Sequence, residues 1–153
     1  MSSRLFLRVR EELGLAYDIH SYAAHFLDDG AVTVYAGVEP KQIDKTIKAI
    51  LEEVRGILSI IPPTELRKAK EMVKGRLLLR TEDTRSMAAW VGGQKLLLGE
   101  LRTIDEVEQI IEALSAEELQ AVGKEIFSPE KMNLAIVGPY RSQGRFERLA
   151  AVG

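Results

Sequence analysis

The sequence contains no cysteine, which excludes disulfides, a thiol nucleophile and every cysteine-based metal site, and leaves the redox compartment open. It holds only two histidines, His20 and His25. No apolar run approaches the roughly 18–20 residues that would span a bilayer. No charge excess is present either: the formal net charge is −2, so neither nucleic acid nor an acidic membrane surface exerts a global attraction. The opening MSSRLFLRVREE lacks the apolar core and cleavage site of a secretory signal, which favours the cytoplasm. Also missing are a Gly-x-Gly-x-x-Gly or Walker loop for phosphates and a Gly-x-Ser-x-Gly elbow for a serine hydrolase.

What is present is globular. The 153 residues are 46% hydrophobic and 29% charged, enough for one core. Residues 3–13 read as a short helix, with Leu5, Phe6, Val9 and Leu13 at helical spacing and Gly14 as the left-handed residue past its end. Two strands follow. Across 15–26, Leu15, Tyr17 and Ile19 share one face and Asp18, His20 and Tyr22 the other. Asp28-Asp29-Gly30 supplies the positive backbone angles of a hairpin turn into Ala31–Val38.

The remainder reads as mostly helical. Pro40 opens a helix carrying the stripe Ile43, Ile47, Ile50, Leu51, Val54 and Leu58. Pro62-Pro63 breaks the chain and Thr64 is placed to cap the next helix, through Leu77, which loosens around Thr81–Thr84. A further helical stretch over 85–98 has Met87, Trp90, Val91 and Leu97 as expected core. Thr103 with Glu106 and Ser115 with Glu118 have capping-box spacing, and Leu114 and Leu119 are placed for a staple. Met132–Val137 reads as a buried strand closed by Gly138-Pro139. The expected class is α+β, a mostly antiparallel sheet with helices on one face. The visible strands are few for so many helices, and the expectation is that a first strand and helix are missing upstream.

Several stretches together resemble a known family. They are Ser2-Ser3-Arg4-Leu5-Phe6, then Arg10-Glu11, Gly14-Leu15-Ala16-Tyr17, Tyr35-Ala36-Gly37 before a proline-opened helix, Glu65-Leu66 with Ala69-Lys70, Lys74-Gly75, and Leu134-Ala135-Ile136-Val137-Gly138-Pro139. In this order they are similar to the C-terminal, non-zinc domain of the insulinase, pitrilysin and mitochondrial-processing-peptidase superfamily of zinc metallopeptidases, in its bacterial form. The resemblance covers residues 1–139, expected to be a partial C-terminal domain, with 140–153 a loosely held tail. It also implies that Met1 is an internal residue of a longer protein.

The resemblance implies a division of labour. In the family, the catalytic half binds zinc through His-x-x-Glu-His, and an Arg and a Tyr seven positions apart reach towards it from the other half. Here that spacing falls on Arg10 and Tyr17. A scissile carbonyl gains negative charge as water attacks, and a guanidinium or phenol can stabilise it. Read without the family, the same two side chains suit a helix C-terminus and a strand core. His20 and His25, five apart on one strand, point to opposite faces, so this chain is expected to bind no metal; the zinc belongs to the other half.

The implied function is the substrate-contacting half of a zinc metalloendopeptidase acting on unfolded peptides, inactive by itself. The alternative is a catalytically inactive scaffold or peptide-binding subunit of the same superfamily. Implied partners are a zinc-bearing homologous half, upstream or separate, and a peptide substrate. The truncated domain is expected to self-associate through exposed apolar surface. The cationic run Arg67, Lys68, Lys70, Lys74, Arg76 and Arg80 reads as a solvated helix face.

Overall fold

A computed structural model describes residues 3–151. The chain divides into two compact units, one running to Ser59 and resuming at Ala121, the other spanning Ile60–Gln120.

The first unit opens with a π-helix, Phe6–Glu12. Its widened turn is closed by Leu13 N–H donating to Arg8 O at 3.0 Å and Leu15 N–H to Val9 O at 2.9 Å. This is one residue wider than a Schellman closure, and it needs the left-handed Gly14, φ +60°. Strands β1, Ala16–His25, and β2, Gly30–Val38, then form an antiparallel hairpin. Helix α1, Ile43–Ser59, completes the core. Val9, Leu15, Ala16, Ile19 and Ala49 are buried together, with Val34, Ala36 and Val38 packed against them. An isolated hairpin is marginal in water; burying side chains such as Val9 and Ile19 contributes about 1.5–3 kcal/mol each.

The pairing contains one irregularity. Ala16 faces Val38 and Asp18 faces Gly37, so Tyr17 is the extra residue of a β-bulge. On β2 the core residues Ala36 and Val38 are two apart; their partners Ile19 and Ala16 are three apart. An odd spacing puts two residues on opposite faces of a regular strand. The bulge restores both to the core and turns Tyr17 outward. The expected face shared by Leu15, Tyr17 and Ile19 is thereby corrected: the first and last are buried, and Tyr17 is 87% exposed.

The hairpin turn also differs from expectation. The loop is Phe26–Asp29, closed by Phe26 N–H donating to Asp29 O at 2.9 Å, and Gly30 has no positive φ. Its reason is proximity instead: a Cβ there would lie 2.9 Å from the Ala24 carbonyl oxygen.

The second unit is helical: α2 Pro63–Thr81, α3 Thr84–Gly93, a π-helical turn Gln94–Leu98 and α4 Ile104–Ala113. Thr103 and Glu106 form the expected capping box. At the next helix, Ser115 N–H donates to Glu118 at 2.8 Å and Glu118 N–H to the Ser115 hydroxyl at 3.1 Å. Thr64 is not a cap; Pro63 takes the first helical position, where its missing N–H costs nothing. The break near Thr81 is sharper than a loosening, because Asp83 accepts Ser86 N–H at 2.8 Å and starts α3. The cations are partly engaged: Lys70 Nζ donates to Glu112 O at 2.5 Å, and Lys74 Nζ sits 3.1 Å from the Glu112 carboxylate, joining α2 to α4. Of the expected core here, Met87 and Trp90 are half-buried, and Val91 and Leu97 are exposed.

Back in the first unit, α5 (Ala116–Ile126, most of it after the boundary) leads to a 3-10 turn at Pro129–Lys131. The expected strand at Met132–Val137 does not form. A strand requires a neighbour's ladder, and among the described residues β1 and β2 pair only with each other. Ile136 still packs on the Ile43–Ile47 cluster, whereas Leu134 and Val137 are exposed. Nor is the tail without structure: Gly144–Ala151 is helix α6, and Phe146 is buried against Ile43 and Ile47. An aromatic anchor outweighs the polar composition around it. The class is nonetheless α+β, an antiparallel hairpin with helices on its core face.

Candidate functional site

Arg10 and Tyr17 come together through two departures from regular geometry. The π-helix carries Arg10 in its last turn, and the bulge presents Tyr17 directly after Gly14-Leu15-Ala16. The Arg10 guanidinium carbon lies 5.8 Å from the centre of the Tyr17 ring and 4.8 Å from that of Phe6. Phe6, which carries no chemistry of its own, holds the guanidinium over its face by a cation–π contact. Arg10 Nε is 3.7 Å from a Glu11 carboxylate oxygen. Arg10 does stand at the helix C-terminus, whereas the strand-core reading of Tyr17 gives way to an outward-facing ring.

An open depression of about 540 Å³ adjoins Tyr17, lined by Gly14–Tyr17 on one side and by Gly37–Pro40 and Gln42 on the other. Chemically, Tyr17 brings a phenol donor to the depression, with the Arg10 cation on the ring beside it. It offers no nucleophile positioned by a base.

The hairpin's exposed face carries the Asp18, His20 and Tyr22 set that spacing indicates, and adds Tyr35 from the other strand. His20 stands opposite Tyr35, with ring centres 5.1 Å apart, and 6.2 Å from Tyr22. Its Nδ1 is 3.5 Å from Asp18. His25 lies at the far end of β1, across from Gly30. Strand alternation puts the two imidazoles on opposite faces, and among the described residues no three His, Cys, Asp or Glu side chains gather as a metal site. The donor set does not fit zinc.

Residues 1–73 match the family model described as the peptidase M16 inactive domain. A Bacillus subtilis protein named as an uncharacterized zinc protease, YmxG, is 36% identical over 140 residues, 91% of this chain. The chain belongs to the M16 superfamily of zinc peptidases, to its C-terminal inactive domain. An uncharacterized zinc protease of Streptomyces coelicolor is 31% identical over 144 residues, 94% of this chain. This M16 chain covers 34% of the first relative and 31% of the second, about a third of their length.

Two solved structures share the fold. A chain of complex III2 from Candida albicans, with Inz-5 bound, superposes with a TM-score of 0.73 over 82% of this chain and 30% of that one, at 23% identity. A conserved protein from Enterococcus faecalis V583 superposes at 0.70 over 80% of this chain and 28% of that one, at 26% identity. Among the described residues no helix is long and apolar enough to cross a membrane.

Proposed function

We propose that this M16 domain is the substrate-contacting half of a zinc metalloendopeptidase, inactive alone and completed by a zinc-bearing half on the same polypeptide or a separate subunit. The observation carrying the reading is the pair itself. Tyr17 is 87% exposed on a bulge, with the Arg10 guanidinium beside its ring. An aromatic ring turned to solvent adds nothing to the buried core, and bulges re-aim side chains at functional sites. The relatives named as zinc proteases support the assignment of the metal to the remainder of the protein.

In the assembled site, the peptide segment beside the scissile bond lies in the depression. The Tyr17 hydroxyl and the Arg10 guanidinium then donate to the carbonyl oxygen as it gains negative charge. A zinc ion held by the other half would supply Lewis-acid activation; this chain contributes orientation and charge stabilisation.

The test is Tyr17→Phe in the assembled peptidase, with kcat and KM measured separately. A fall in kcat with little change in KM identifies a contact made in the transition state. Unchanged kcat removes Tyr17 from the mechanism and favours the scaffold alternative, in which the same surface only holds a peptide or a partner.

A further inference from the structure

We propose that the C-terminal strap, from Tyr140 through α6, is a positioning element for the depression beside Tyr17, with Tyr140 and Arg145 as its anchoring residues. The inference rests on the reading of that depression as a peptide-contacting surface.

One wall of the depression is Glu39, Pro40 and Gln42, the turn between β2 and α1. Its local ties are Gln42 N–H donating to Glu39 O at 2.8 Å and Thr46 N–H to Gln42 O at 3.0 Å. Pro40 has no N–H to contribute. Its carbonyl instead accepts the Tyr140 hydroxyl at 3.2 Å, from a residue 100 positions away. One turn further on, Arg145 Nε and Nη2 both donate to Asp44 Oδ2, at 2.9 and 2.7 Å. Between these points Phe146 is buried against Ile43 and Ile47, its ring edge-on to Tyr140 at 5.1 Å.

A neutral hydrogen bond, a charge-assisted pair and an aromatic plug therefore converge on residues 40–47. The polar composition of the strap does not require any of them. Asp44 also has a second carboxylate oxygen, Oδ1, which is buried without a partner, so losing Arg145 would leave that carboxylate poorly compensated. The strap fixes where the wall stands before substrate arrives, and preorganisation of that kind acts on binding.

Two measurements test this. In the full chain, hydrogen exchange at the Gln42 and Thr46 amides is expected to rise about tenfold in Arg145→Gln and about threefold in Tyr140→Phe. In the assembled peptidase, both variants are expected to raise KM about 3–10-fold with kcat within about twofold. Arg145→Lys, which keeps the charge, should recover most of the KM. Simple loss of folded protein would lower apparent kcat and leave KM alone. Unchanged exchange in both variants overturns the clamp whatever the activity. Faster exchange with unchanged KM overturns its role towards substrate. Failure of Tyr17→Phe to lower kcat would sink the parent reading while leaving the exchange result to decide the clamp. If Arg145→Gln does not fold, Tyr140→Phe, one oxygen smaller, carries both measurements.

Discussion

The two units solve the problem of burial differently. The hairpin unit closes a core around Val9, which is 0% exposed, with Leu15, Ala16, Ile19 and Ala49. In α2, α3, the Gln94–Leu98 turn and α4 no residue is buried. Those segments expose Leu79, Leu96 at 85% and Leu98. Hydrogen bonds specify this helical block: capping boxes, the Lys70 and Lys74 ties to Glu112, and Gln94 accepting Arg102 N–H at 3.1 Å. Packing supplies most helical stability, whereas exposed polar ties contribute little each. A rigid site therefore belongs in the hairpin unit, where Arg10 and Tyr17 lie.

The comparison is broken most directly by chemistry. Tyr17→Phe in the assembled peptidase is expected to lower kcat about 100-fold, the scale of losing one oxyanion donor. Lys70→Gln and Lys74→Gln in the helical block should leave kcat within about twofold. A comparable loss from the lysines would mean that the site is not confined to the hairpin unit.

Stability sharpens the contrast further. Ile19→Ala removes a buried side chain and is expected to cost about 2–5 kcal/mol. Leu79→Ala, on an exposed position, should stay within about 0.5 kcal/mol. Denaturant titration of both variants checks this; a cost at Leu79 above that range would mean its face is covered in solution. If that cost appears, covering by a second copy is checked by light scattering as a concentration-dependent mass. A monomer at every concentration, with Leu79 still insensitive, would leave the face open.

Legibility in the sequence followed the range of the interaction. The Thr103–Glu106 and Ser115–Glu118 boxes are contacts over three residues, and residue spacing reveals them. So are the helix ended by Gly14 and the two strands. The bulge at Tyr17 depends on how Ala16 and Ile19 must meet Val38 and Ala36 on another strand. The odd spacing of Ala16 and Ile19 was its only trace. The strap depends on contacts across 100 and 101 positions, and nothing in its polar sequence marks Phe146 as an anchor. Met132–Val137 misleads for the opposite reason: its composition suits a strand, and pairing is a property of the neighbour. Of the candidate site, the pair was legible through resemblance, whereas Phe6 under Arg10 and the wall of the depression were not.

Acid should separate the units more gently. Hydrogen bonds from Thr103, Lys74 and Ser115 hold the Glu106, Glu112 and Glu118 carboxyls below the usual 4.5. The Ser86 bonds do the same for Asp83, below 3.8. Carboxyls depressed in the folded state add stability that is present above the unfolded pKa and lost as pH falls through the folded one. All four lie in the helical block, against Glu130 alone among the described residues of the hairpin unit, held low by a backbone N–H and Ser128. All are exposed, and solvent screening keeps the effect small. Circular dichroism below about pH 4.5 should therefore show helix loss while the near-ultraviolet signal of the hairpin tyrosines persists. The Glu106→Gln, Glu118→Gln double variant should flatten that helix loss. Coincident loss of both signals would mean that the units melt as one.

A modest effect is the one whose sign decides the comparison. Gly14 sits at φ +60°, where any Cβ is strained although nothing lies within 4 Å. Gly14→Ala is expected to destabilise by about 1 kcal/mol, because the closure of the π-helix and the approach to Tyr17 both pass through it. Gly75 lies inside α2 without positive φ, and its Cβ would also meet nothing. There the substitution exchanges a poor helix former for the best one, and Gly75→Ala should stabilise by about 0.5–1 kcal/mol. Measured side by side by denaturant unfolding, the two substitutions should move stability in opposite directions. A loss at Gly75 would mean that a partner approaches that face of α2 too closely for a methyl group, and the block would then be an interface rather than a loosely packed layer.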